Sequence, residues 1–143
     1  MKTIRLPRSN ARRQEGVMLL EALIGILIFS LGILALLAMQ ATAMRATVDA
    51  KYRSEAAFLA NEIIGIMWVD RANLSSYSGS GCAGYAQCNA WLTRAQGLLP
   101  NATGANAPTI TVAGQQATVT IFWQRPGEST VSQHTAVAQI NNS

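Results

Sequence analysis

Glu21 is the only charged side chain in the run from Val17 to Met39, VMLLEALIGILIFSLGILALLAM. A lone carboxylate in an apolar segment costs about 2.5–3.5 kcal/mol on insertion scales, so its retention calls for a cationic partner. The chemistry it offers is charge pairing, and an acid in the first turn of a helix is further favoured by the helix dipole. Cys82 and Cys88, the two cysteines, stand at C-x5-C spacing, which suits a disulfide better than the C-x-x-C of a redox pair. The single histidine, His134, falls in an expected strand with no base, acid or nucleophile at a meaningful distance in sequence. No Cys, His, Asp or Glu cluster has metal-ligand spacing, so no metal or cofactor is expected, and no nucleophile-base-acid constellation points to an enzyme.

The elements that must position these residues begin with the apolar run itself. About 20 apolar residues suffice to cross a bilayer as a helix, and Val17–Met39 meets that length. The net charge of +4 is carried by Lys2, Arg5, Arg8, Arg12 and Arg13 against Glu15, because from Val17 onward basic and acidic residues balance. Basic residues massed before a span are a topology signal: they hold the N-terminus in the cytoplasm and place the chain beyond Met39 outside. Arginine and tryptophan are dispersed elsewhere, so no basic aromatic surface for nucleic acid is expected. An exported head meets an oxidising compartment, where an even cysteine count is most simply one disulfide. An ordinary secretory signal has an apolar core of about 7–15 residues, shorter than this run, and gains nothing from Glu21. An uncleaved anchor accounts for length and flanks but leaves Gly16 and Glu21 without a role.

At Arg12-Arg13-Gln14-Glu15-Gly16-Val17-Met18-Leu19-Leu20-Glu21 the sequence resembles the signal sequence of type IV prepilins and related pseudopilins. In that family a membrane-embedded prepilin peptidase cuts after the glycine and the new N-terminus is methylated. The resemblance implies that residues 1–16 form a cleaved leader, that Val17 is the methylated first residue, and that Glu21 is the fifth-position glutamate. Val17 stands where phenylalanine or methionine is commoner. The physics of the positions agrees with these roles. A glycine without Cβ lets an extended backbone enter a protease site. The cut creates an amine with a reference pKa of about 8, cationic at neutral pH. Glu21 is expected to pair with that amine in a neighbouring subunit and so set axial register; the plainer alternative is a glutamate that snorkels to the interface or is protonated.

Helical pattern continues past the span. Gly65 is the only glycine between Gln40 and Asp70, and no proline falls there. Met44, Val48, Tyr52, Ala56, Leu59, Ile63, Ile66 and Met67 recur at spacings of three and four, which predicts one amphipathic stripe. Lys51 with Glu55, and Arg45, Asp49 and Arg53, form i,i+4 series on other faces. A helix from about Met18 to Asp70 would be roughly 80 Å long at about 1.5 Å per residue, far more than a bilayer needs. Residues 17–39 are therefore assigned to the membrane or fibre, 40–70 to an amphipathic half, and 71–143 to a head. Within the head, Ser75–Gly81 reads as a small polar loop and Asn89–Leu98 as a short helix with Trp91 and Leu98 inward. Thr109–Val112, Thr118–Trp123 and Thr130–Ile140 read as strands, with turns at Gly114–Gln116 and Arg125–Glu128. The expected fold is α+β: a long N-terminal helix packed on a three-stranded antiparallel meander, the general plan of pilins.

Leu31–Arg45, Tyr52–Ala60 and Asn61–Trp68 further resemble minor pilins of the PilV type, and the proline that major pilins carry near the twenty-second mature position is absent at Ala38. This implies a structural protein that joins other minor pilins and the major pilin through its helix and primes assembly of a type IV pilus. It also implies contacts with the inner-membrane assembly platform and with a tip adhesin, in support of adhesion and twitching motility. The expected location is the inner membrane, head in the periplasm, and then the fibre near its tip. A minor pseudopilin of a type II secretion system shares Gly16, Glu21 and the helix. A surface-binding module carried on the Cys82–Cys88 loop is a third reading. Asn73-Leu74-Ser75 and Asn101-Ala102-Thr103 match glycosylation sequons, which arise often by chance, and nothing is assigned to them.

Overall fold

The computed structural model describes the chain over residues 11–141, with side chains from residue 16 onward. Lys2, Arg5 and Arg8 of the expected leader lie outside the described residues. The fold is α+β, a long apolar N-terminal helix followed by short helices and a small antiparallel sheet in a pilin-like layout. The chain divides into two compact units, residues 1–46 and 47–143.

Helix α1 runs Ala11–Val69. Its length follows from composition: no proline occurs between Pro7 and Pro100, and the many Leu, Ala and Met residues have high helix propensity. Asp70 leaves the helical region (φ −106°, ψ 42°) and ends it. A 3-10 segment, Arg71–Tyr77, then leads to α2 (Gly81–Gly84) and α3 (Ala86–Leu98). The expected polar loop is thus partly helical, and its glycine is sterically required: a Cβ on Gly81 would lie 2.9 Å from the Ser76 carbonyl oxygen.

The sheet has order β1-β2-β3, all antiparallel, with β1 Thr109–Ala113, β2 Gln116–Trp123 and β3 Ser132–Gln139. Ala113 pairs with Gln116 across a two-residue turn. Gly114 takes φ 62° there and Gln115 has no positive φ, the signature of a type II′ hairpin. The outer edge of β1 is covered by the preceding loop. Gly79 N–H donates to Ile110 O at 2.9 Å, and Val112 N–H donates to Ser78 Oγ at 3.2 Å.

One core fills the second unit. Ala56, Leu59, Ala60, Ile63 and Met67 of α1 pack with Trp91 and Ala95 of α3 and with Ile110, Ala117, Val119, Ile121 and Trp123 of the sheet. Alternation along β2 puts every second residue into that core. Three expectations are corrected. Met44 and Val48 are exposed: along α1 the stripe packs on the core only from Tyr52 onward, and the contact made at Asp49 is the polar one with Arg125. Leu98 is 44% exposed, because α3 ends there and Leu99, in an extended conformation, swings into the core in its place. The third strand occupies Ser132–Gln139 and not the whole of Thr130–Ile140; Thr130 and Val131 stay outside the ladder.

Candidate functional site

The residues singled out in the sequence fall into two groups, one in each unit. In the first unit, Gly16, Val17 and Glu21 lie on α1 and are exposed, Val17 at 65%. Val17 and Glu21 are four apart, one turn of the helix and on one face, separated by about 6 Å along the axis. The sequence has no Lys, Arg or His between Arg13 and Arg45, so no side-chain cation lies within a turn of Glu21. Leu20, Leu23, Ile24, Ile28, Leu31 and the other large apolar residues to Met39 are all exposed. Among the described residues one helix is long and apolar enough to cross a membrane, and no residue of its apolar window is buried.

Gly16 is helical and not extended. A peptidase that needs an extended strand would therefore have to unwind α1 locally. Glycine is suited to this, since within a helix it is about 1 kcal/mol less favourable than alanine. A Cβ at Gly16 would meet nothing within 4 Å, so the fold itself places no steric demand on glycine there.

In the second unit, Cys82 and Cys88 are joined as a disulfide. The loop it closes is fastened again by a polar cluster at the end of α1. Asp70 accepts hydrogen bonds from Asn73 Nδ2 at 2.8 Å, from the Tyr77 hydroxyl at 2.8 Å, and from the hydroxyl of Tyr85, which lies between the two cysteines. The rings of Tyr77 and Tyr85 meet edge to face at 5.1 Å. Tyr77 Oη also lies 2.9 Å from the side-chain amide of Gln87; its one hydrogen goes to Asp70, the stronger, charged acceptor. The bond from Tyr85, then those from Asn73 and Tyr77, hold the Asp70 carboxyl below its ordinary 3.8. Tyr77 is pushed well above its ordinary 10.0, chiefly by burial and then by the bond to Asp70, and Tyr85 is raised chiefly by its bond to Asp70.

Further contacts seat α1 in the head. Trp91 Nε1 donates to Leu59 O at 2.9 Å in the buried interior, Arg94 pairs with Glu62, and Arg125 reaches Asp49 at 3.9 Å and Glu128 at 2.8 Å. Of the three expected i,i+4 pairs, Lys51–Glu55 (3.7 Å) and Asp49–Arg53 (3.9 Å) are formed, and Asp49 turns to Arg53 and Arg125 rather than to Arg45. An open cavity of about 700 Å3 lies beside the cluster, with Gly65, Ile66 and Val69 as its apolar wall and Glu62, Asp70 and Gln87 as its polar rim.

His134 lies opposite Ile121 on β3, half-buried. Among the described residues no group of three or more His, Cys, Asp or Glu side chains could hold a metal ion. The arrangement can pair charge at Glu21 and hold a loop rigid at Asp70. Sequence reasoning missed the Asp70–Tyr77–Tyr85 cluster. The only available signal was two tyrosines flanking a glycine-rich loop after a helix-ending aspartate, and no periodicity links them. No family model, no curated protein and no solved structure matches this chain.

Proposed function

We propose that this chain is a minor pilin that enters, or primes the assembly of, a type IV pilus, with Gly16 as the last leader residue and Val17 as the methylated N-terminus. The observation that carries the reading is Glu21: one turn after Val17, in an apolar stretch of α1 whose described side chains are exposed, with no side-chain cation within a turn. A buried or lipid-facing carboxylate must find a cation, and the cut supplies one on a neighbouring subunit. In this reading α1 anchors the chain in the inner membrane until assembly and then packs among the helices of other minor pilins and the major pilin. The second unit forms the periplasmic head, and adhesion and motility follow from the fibre it helps to build.

Mass spectrometry of the protein recovered from membranes tests the assignment. The expected chain starts at Val17 with an added methyl group, and a mature chain that keeps residues 1–16 overturns the proposal. Glu21→Ala is expected to leave processing intact and to abolish recovery in sheared fibres. Recovery in a type II secretion pseudopilus instead of a surface pilus would favour the pseudopilin reading, for which the same helix features serve equally.

A further inference from the structure

The two edges of the sheet are treated differently. The edge of β1 is occupied by Ser78 and Gly79, whereas the outer edge of β3 has no hydrogen-bond partner among the described residues. Edge strands of natural proteins are usually blunted by charge, proline or a bulge. β3, SQHTAVAQ, has no Lys, Arg, Asp, Glu or Pro, and its pairing with β2 runs without interruption from Ser132 to Gln139.

The register says which backbone groups are free. Ile140 N–H donates to Gln115 O at 2.7 Å, which continues the β2–β3 register and makes that pair a hydrogen-bonded one. Hydrogen-bonded and non-hydrogen-bonded pairs alternate along an antiparallel ladder. The even-numbered residues of β3 therefore bond to β2, and Gln133, Thr135, Val137 and Gln139 direct N–H and C=O to the open edge. Their side chains are also the exposed ones.

We infer that this edge is an interaction surface that takes the β3 strand of a second copy of this chain, antiparallel and centred on Ala136. The centre follows from matching the free groups to themselves. With Ala136 opposite Ala136 of the second copy, Gln133 faces Gln139 and Thr135 faces Val137, so all four free donor-acceptor residues find a like residue. About eight main-chain hydrogen bonds result. Centring on Thr135 instead leaves Gln139 opposite Val131, outside the strand. No charge meets a like charge in the centred register, the two end pairs join glutamine amides, and the inward residues at the seam are Ala136, His134 and Ala138, small enough at the centre for close approach. One strand pair buries less than the roughly 1,200 Å2 of a stable interface, so the association is weak in dilute solution. It does not depend on the pilus reading.

The experiment is disulfide trapping with the full-length protein in detergent micelles, Cys82–Cys88 left intact. Ala136→Cys is expected to give a covalent homodimer under mild oxidation, well above Ala90→Cys, an exposed control on α3. Adding Thr135→Pro removes an N–H that faces the open edge, together with the exposed hydroxyl contact to Thr120 (3.4 Å) that Thr135→Lys also loses, and adding Thr135→Lys places a charge there. Each is expected to lower the trapped dimer about tenfold or more while circular dichroism stays unchanged. Trapping of Ala136→Cys no greater than the control, or trapping that survives both edge substitutions, overturns the inference. So does faster trapping of Thr135→Cys than of Ala136→Cys, or capture in membranes of a different protein with no homodimer.

Discussion

Along α1, Leu27, Ile28, Phe29 and Leu31 stand open, while farther down the same helix Ala56, Leu59, Ala60 and Ile63 have no exposed surface at all. Backbone geometry and residue class are alike in both places. The difference lies in the apolar partner: the second half has it in α3 and the sheet, and for the first half the proposed function supplies it in lipid or in other subunits. The amphipathic half has charged residues on its remaining faces, as a half-covered helix requires, and the apolar half has only Glu21. Hydrophobic content therefore does not say what is buried, and the polar residues around it do.

That contrast can be broken one half at a time. The largest effect is expected from Leu27→Arg with Leu34→Arg, which adds about 6–8 kcal/mol to membrane insertion. Carbonate extraction should find the double variant released from the membrane, with thermal unfolding of the head unchanged. The converse is Leu59→Ala, expected to cost the head about 2–5 kcal/mol and to leave membrane partition as it was, read by chemical unfolding followed through tryptophan fluorescence. Equal effects of either change in both assays would end the distinction.

Cys82→Ser with Cys88→Ser is expected to cost about 2–3 kcal/mol, since the loop closed is short. The pH dependence sharpens the picture of the same region. Because Asp70 titrates below its ordinary 3.8, its contribution is complete above that value and is lost as the pH falls through the lowered one. Because Tyr77 and Tyr85 titrate above 10.0, their contribution is complete below that value and is lost as the pH rises beyond it. Unfolding midpoints measured across pH should fall off at both ends, and Asp70→Asn should flatten the acid limb. Smallest of all, Arg94→Ala removes a partly exposed ion pair with Glu62 and should cost no more than about 1 kcal/mol in a double-mutant cycle.

The apolar span, the helix up to Asp70, the three strands and their order were legible because periodicity and chain punctuation are local. Gly114 marked the first turn, although Gln116, expected within it, pairs with Ala113 as the first residue of β2. The inward face of α3 was half legible: Trp91 was found, but Leu98 was chosen where the end of the helix lets Leu99 enter the core. Met44 and Val48 continue the stripe correctly in phase, and phase cannot tell where a covering domain stops. The Asp70 cluster was invisible because hydroxyl-carboxylate contacts depend on how a loop folds back, which no repeat encodes. Of the candidate site, Glu21 stood out because it violates its surroundings, whereas the open edge of β3 is a property of the sheet and not of any one residue.

The contacts that fasten the end of α1 differ sharply in how much chain they enclose. Cys82 and Cys88 are 6 positions apart and Tyr85 lies 15 from Asp70, whereas Trp91 reaches Leu59 across 32 and Ser78 reaches Val112 across 34. Closing a longer loop costs more entropy, so during vectorial emergence the Asp70–Cys88 segment can knot itself before any strand has arrived. Thiol trapping on stalled, partly exported chains is expected to find Cys82–Cys88 already joined when β1 to β3 are still missing. If the bond forms only once the sheet is present, the segment is a late fastening and not a folding seed.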